Sequence, residues 1–147
     1  MPKSKVRLMR AFFCLEGSKY RMLQAYSLNV TAAANSAIPF NNVTIEKGTT
    51  AILSAPGTIN LNKAGVYMVS ADASSATAAT IQLSKDGVLQ PQATSTGTSP
   101  SFTTLVQVSR NNCNCNCITS PVVLRLVNPT AAAETFTDAN IVVTKVC

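Results

Sequence analysis

The segment Arg110-Asn111-Asn112-Cys113-Asn114-Cys115-Asn116-Cys117 places three of the chain's five cysteines at alternate positions. In an extended segment alternate residues share one face, so the three thiols would point one way and the asparagines the other. A zinc site uses cysteine pairs with typically two to four residues between them, plus a second pair elsewhere. C-x-C-x-C cannot close a tetrahedron alone, and Cys14 and Cys147 would have to fold close by. A disulfide between residues i and i+2 is strained, because their Cα atoms stand about 6.5–7 Å apart, at the limit of bridging. With five cysteines, at least one stays free within a single chain. A thiolate nucleophile wants a basic neighbour, and Arg110 is the only one near in sequence. Three readings stand for Cys113, Cys115 and Cys117: small buried apolar side chains, a disulfide between subunits, or a soft metal held where several copies meet. Cys147 joins the cluster only where the last strand ends beside this segment.

Other chemistry is sparsely provided. Histidine is absent, which removes the commonest general base, the Ser-His and Cys-His pairs and most zinc sites. The carboxylates Glu16, Glu46, Asp72, Asp86, Glu134 and Asp138 are scattered without a catalytic spacing. The expectation is a protein that is not an enzyme, with no catalytic residues, no cofactor and no acidic loop cluster for calcium.

The elements that hold these residues follow from composition. Only 12% of the 147 residues are charged while 46% are hydrophobic, the balance of a β-rich domain surfaced by Thr, Ser and Asn. No apolar run approaches the roughly 18 residues of a membrane span. Residues 1–21 carry Lys3, Lys5, Arg7, Arg10, Lys19 and Arg21 against Glu16, a net of +5, and the remaining chain carries a net of +1. The N-terminus therefore reads as a basic arm on a nearly neutral body. Its apolar stretch Ala11–Leu15 is shorter than the roughly seven residues a signal peptide requires, so assembly in a reducing cytoplasm is expected.

Beyond residue 20, short Thr/Val/Ile-rich runs alternate with Pro, Gly, Asn and Ser clusters. Strands are expected over 20–31, 37–43, 49–53, 57–61, 65–72, 80–84, 88–92, 101–109, 122–127 and 141–146. Asp86-Gly87 suits the positive φ of a hairpin turn, and Pro56-Gly57 and Ala64-Gly65 also read as turns. Eight to ten strands are too many for one exposed sheet, so two packed sheets are expected. In Ile59–Ser75, Val66, Met68 and Ser70 alternate against Tyr67, Val69 and Ala71. Both faces of that strand are apolar or small, so it is covered on both sides, by a second sheet or by a neighbouring subunit.

Read together, Leu61–Ser74 ("LNKAGVYMVSADAS"), "IQLSKDGVLQPQATS", "FTTLVQVS", "PVVLRLVN" and the final "ANIVVTKV" resemble the trimeric jelly-roll family of complement globular heads and tumour necrosis factor, and look closest to its phage members. The resemblance covers residues 35–147. It implies an all-β jelly-roll-type sandwich over residues 22–147, a homotrimer with Tyr67 and Val69 at the subunit interface, and a virion structural role as a phage head fibre or capsid decoration protein on the virion surface. Residues 1–21 would then be the docking arm. Phe12 and Phe13 are costly to leave in water, so a segment that orders on a capsid surface is expected, with Leu8, Phe12 and Phe13 as anchors and Lys5, Arg7 and Arg10 pairing with acidic groups. The other reading of this segment is a first strand with a frayed tail.

Two further functions compete. One is a host-facing adhesion or receptor-binding module on a tail, spore or cell surface, with Phe102 as the loop aromatic it would use. The other is a small viral coat protein whose arm neutralises nucleic acid. Six basic residues are few for that task, so nucleic acid is not the expected partner, and neither is a membrane.

Overall fold

A computed structural model describes residues 21–109 and 120–147. The described chain contains strands and turns only, arranged as eleven strands: β1 (Met22–Ala32), β2 (Ser36–Ala37), β3 (Asn42–Lys47), β4 (Ala51–Ala55), β5 (Thr58–Leu61), β6 (Gly65–Ser74), β7 (Ala79–Lys85), β8 (Val88–Gly97), β9 (Ser101–Val108), β10 (Val122–Asn128) and β11 (Glu134–Lys145). Two antiparallel sheets form. One has the order β3-β1-β11-β6-β9 and the other β4-β5-β10-β7-β8, with the short β2 paired to β10. This is the expected two-sheet sandwich, and the expected hairpin over Asp86-Gly87 joins β7 to β8 with φ of 51° and 82°.

The core lies between the sheets because each strand alternates. From the first sheet come Leu23 and Ala25 of β1, Tyr67, Val69 and Ala71 of β6, and Phe136, Ile141 and Val143 of β11. The facing sheet contributes Ile59, Leu61, Ile81, Leu83, Leu124 and Leu126, and all of these are buried. Burying one such large side chain contributes about 1.5–3 kcal/mol before packing is counted, so this single layer carries the fold. Ser27 is the polar exception. Its hydroxyl donates to the Pro39 carbonyl at 2.6 Å and accepts from the Asn41 amide at 3.0 Å. That pair of bonds ties the β2–β3 connection onto β1.

Two expected boundaries and one expected site residue are corrected. Asn42–Lys47 forms a strand of its own, running alongside β1 as an edge, where the sequence reads as a strand ending at Val43. The last strand begins at Glu134 rather than Ile141, because β1 pairs with it from Glu134 onward and β6 joins from Asp138. Phe102 belongs to β9 and packs against the core, so it is no loop aromatic for an adhesive tip.

Candidate assembly interface

The outward face of the β3-β1-β11-β6-β9 sheet follows from register. One row across all five strands reads Lys47, Met22, Thr144, Met68, Leu105, and the next reads Ile45, Gln24, Val142, Ser70, Thr103. A third reads Asn42, Tyr26, Asn140, Asp72, Ser101. Leu105 is 62% exposed and Met68 38% exposed, and they stand side by side. Half-buried Met22, Val142 and Ile45 extend this apolar area. Scattered apolar residues on a surface are ordinary, whereas contiguous ones mark an interaction site. Polar side chains on the same face are engaged with one another. Gln24 Nε2 donates to Asn140 Oδ1 at 3.2 Å and Thr103 Oγ1 donates to Ser70 Oγ at 3.2 Å. The face is therefore a mixed surface with an apolar band.

Tyr67 and Val69, expected at a subunit interface, are not on this face. Both are fully buried within a single chain, and neither can reach another subunit. The neighbouring set Val66, Met68 and Ser70 points outward instead, since a one-residue step along a strand switches faces. The Tyr67 hydroxyl donates to the Lys63 carbonyl at 2.6 Å. Burial pushes its pKa up to about 12, more than the nearby Arg21 charge brings it down.

The docking residues Lys5, Arg7, Leu8, Arg10, Phe12 and Phe13, and the thiols Cys113, Cys115 and Cys117, lie outside the described residues. Their attachment points are fixed. The Arg21 carbonyl accepts from the Lys145 amide at 3.0 Å, and the Val66 amide donates to the Cys147 carbonyl at 3.1 Å. Val108, the end of β9, pairs with Gly65. Lys85 Nζ crosses between the sheets to the Gln107 carbonyl at 2.8 Å. The start of β1, the end of β11 and both flanks of the cysteine segment therefore gather at one end of the sandwich. Cys147 there is disulfide-bonded. Gly65 permits this closure: its φ is +147°, and a Cβ would press on the Cys147 carbonyl oxygen and lie 2.7 Å from Lys145 Cε. Among the described residues, no group of three or more His, Cys, Asp or Glu side chains gathers to hold a metal.

The fold is the jelly roll shared by complement globular heads and tumour necrosis factor-like proteins. No family model matches the chain, and no curated protein matches it. Similar solved structures include PRD1 vertex protein P5, with a TM-score of 0.59, 13% identity and coverage of 87% of this chain and 98% of that one. The globular domain of zebrafish complement 1qA protein is similar with a TM-score of 0.63, 10% identity and coverage of 87% and 98%. Murine APRIL is similar with a TM-score of 0.62, 10% identity and coverage of 84% and 97%.

Proposed function

We propose that this protein is a virion-surface structural protein, a trimeric phage head fibre or capsid decoration protein whose sandwich self-associates through the outward face of the β3-β1-β11-β6-β9 sheet. The observation that carries the reading is the apolar band of Met22, Met68 and Leu105 on that face, in a chain whose own core is already closed between the sheets. The likeness to a phage vertex protein supports the setting. Residues 1–21 dock the head to its shell, with Phe12 and Phe13 as anchors. The β1 entry, the C-terminus and both flanks of the cysteine segment lie at one end of the sandwich, which supports a shared role for the arm and the thiols. In this reading, thiols among Cys113, Cys115 and Cys117 lock subunits together. The disulfide at Cys147 accords with a particle that leaves a reducing cytoplasm, since disulfides persist in oxidising surroundings.

The test is native mass spectrometry of the full-length protein with and without reductant, followed by binding of an arm-deleted form (residues 22–147) to particles. A trimer that survives reduction, and an arm-deleted trimer that no longer binds particles, are the expected results. A monomer in both conditions would overturn the assembly reading, and an arm-deleted protein that still binds particles would overturn docking by the arm.

A further inference from the structure

The opposite sheet carries a second surface feature, independent of self-association. A groove of about 350 Å³ runs along its outward face, lined by Ser84 of β7, Leu89 of β8, Arg125 and Val127 of β10, Asn35 beside β2 and Pro129. Leu89, Ser84 and Arg125 form one row across three strands. Val127 pairs with Ala37, which brings β2 and Asn35 up as the far wall. Ser84 is nearly buried at 5% exposure, and Val127 is buried beside it. Among the described residues, neither the Arg125 guanidinium nor the Ser84 hydroxyl has a hydrogen-bond or ion-pair partner. The nearby Asp86 carboxylate is occupied instead by the Val123 amide at 2.9 Å. A guanidinium aimed into a groove without an internal partner is a ready receptor for a carboxylate, which it binds through two parallel hydrogen bonds.

The remaining walls narrow the ligand class. A peptide adding as a strand would need a free ladder edge. Here β10 pairs with β7 and β2, β7 pairs with β8, and the outer edge of β8 carries Pro91, which blunts pairing. Ser84 on β7 and Asn35 beside β2 offer donors and acceptors from opposite sides of β10, placed for hydroxyls on two sides of one ring. Leu89, Val127 and Pro129 supply an apolar wall for the C–H face of a ring. The volume is at the small end for ligand sites, room for a sugar residue rather than a folded partner. We infer that this groove binds an acidic sugar, its carboxylate on Arg125, its hydroxyls on Ser84 and Asn35, and its ring against Leu89 and Val127.

Saturation-transfer NMR on the full chain tests this with glucuronate, galacturonate and N-acetylneuraminate as probes, and glucose as the uncharged control. The expected result is transfer to the ring protons of at least one acidic sugar and none to glucose. Affinity falls about tenfold or more in Arg125→Gln, the loss of a charge-assisted pair, and severalfold in Ser84→Ala. Both side chains lack internal partners, so the variants should melt like the parent. Leu89→Ala, at an exposed position, tests the apolar wall separately. No transfer from any of the three acids, or transfer unchanged in Arg125→Gln, would overturn the inference. So would equal competition by a short acetylated Glu-containing peptide, which would make the groove a general carboxylate site. Oligomeric state is read separately, so failure here leaves the assembly reading untouched.

Discussion

Met68 on β6 and Leu105 on β9 are directly paired neighbours whose side chains both point to solvent. Paired positions on one sheet face bring side chains within about 4.5–5.5 Å of each other at Cβ, so the two act as one apolar patch. Leu105→Lys places a charge within the apolar band of the proposed contact. The expected outcome is a shift from trimer to monomer in light scattering after size-exclusion chromatography, with the strand signal in circular dichroism unchanged. A variant that stays trimeric would move the interface elsewhere.

Asn128 is a core carboxamide rather than a surface one. It is fully buried, and its Nδ2 lies within hydrogen-bond distance of the carbonyls of Ala32, Ala33 and Ala132, while its Oδ1 accepts from the Thr130 amide and hydroxyl. It joins the end of β1 to the β10–β11 connection. Asn128→Ala orphans these groups and should cost roughly 1–3 kcal/mol, read as a lower midpoint in urea. Asn128→Asp should be no milder, because the carboxylate replaces a donor with a buried charge.

Tyr67 predicts an alkaline weakness. Its folded pKa, raised to about 12, exceeds the unfolded value of 10. The native state therefore holds the phenolic proton more tightly than the unfolded chain, and the associated stability is complete below pH 10. It is lost progressively as pH rises from 10 toward 12. Tyr67→Phe removes this contribution, so its unfolding midpoint should fall less steeply than the parent's across that window. Parallel curves would exclude Tyr67 as the source.

Gly65→Ala tests the closed end of the sandwich. The new Cβ meets the Cys147 carbonyl and Lys145, and φ of +147° suits glycine alone. The expected result is faster hydrogen exchange at the Val66, Val146 and Cys147 amides, with the centre of β11 still protected. Protection unchanged at all three amides would count against the clash.

Reduction of the Cys147 disulfide should lower the thermal midpoint, with about 2–4 kcal/mol as the usual scale for a native bridge. Cys147→Ser should reproduce the loss and make the protein insensitive to reductant at that site. An unchanged midpoint in both would mean that the bridge adds no stability.

Much of the architecture was legible because local chemistry and the fold agreed. Asp86-Gly87 demanded positive φ and received it, and the alternation of Val66–Ala71 required a strand, which β6 is. What stayed hidden was which face meets the other sheet. Val66, Met68 and Ser70 are as apolar or small as Tyr67, Val69 and Ala71, so periodicity had no basis for choosing. The first half of β11, Glu134–Asn140, is mostly small and polar. It is a strand because β1 pairs along it and β6 joins from Asp138, a reason outside the segment itself. The Arg125 groove was equally unreadable, since Ser84 and Leu89 come to it only through the register of β7 and β8.

The clustering of the β1 entry, the C-terminus and the two flanks of the cysteine segment at one end gives the sandwich a polarity. A head tethered through residue 21 must present its other end, the connections around 33–41, 75–78, 98–100 and 129–133, away from whatever holds it. Those connections are made almost wholly of Ala, Ser, Thr, Asn and Pro. A distal tip so short of charge and large apolar groups is poorly adhesive. Neighbouring particles meeting tip to tip would slide past one another, so a shell covered with such heads would be kept dispersed.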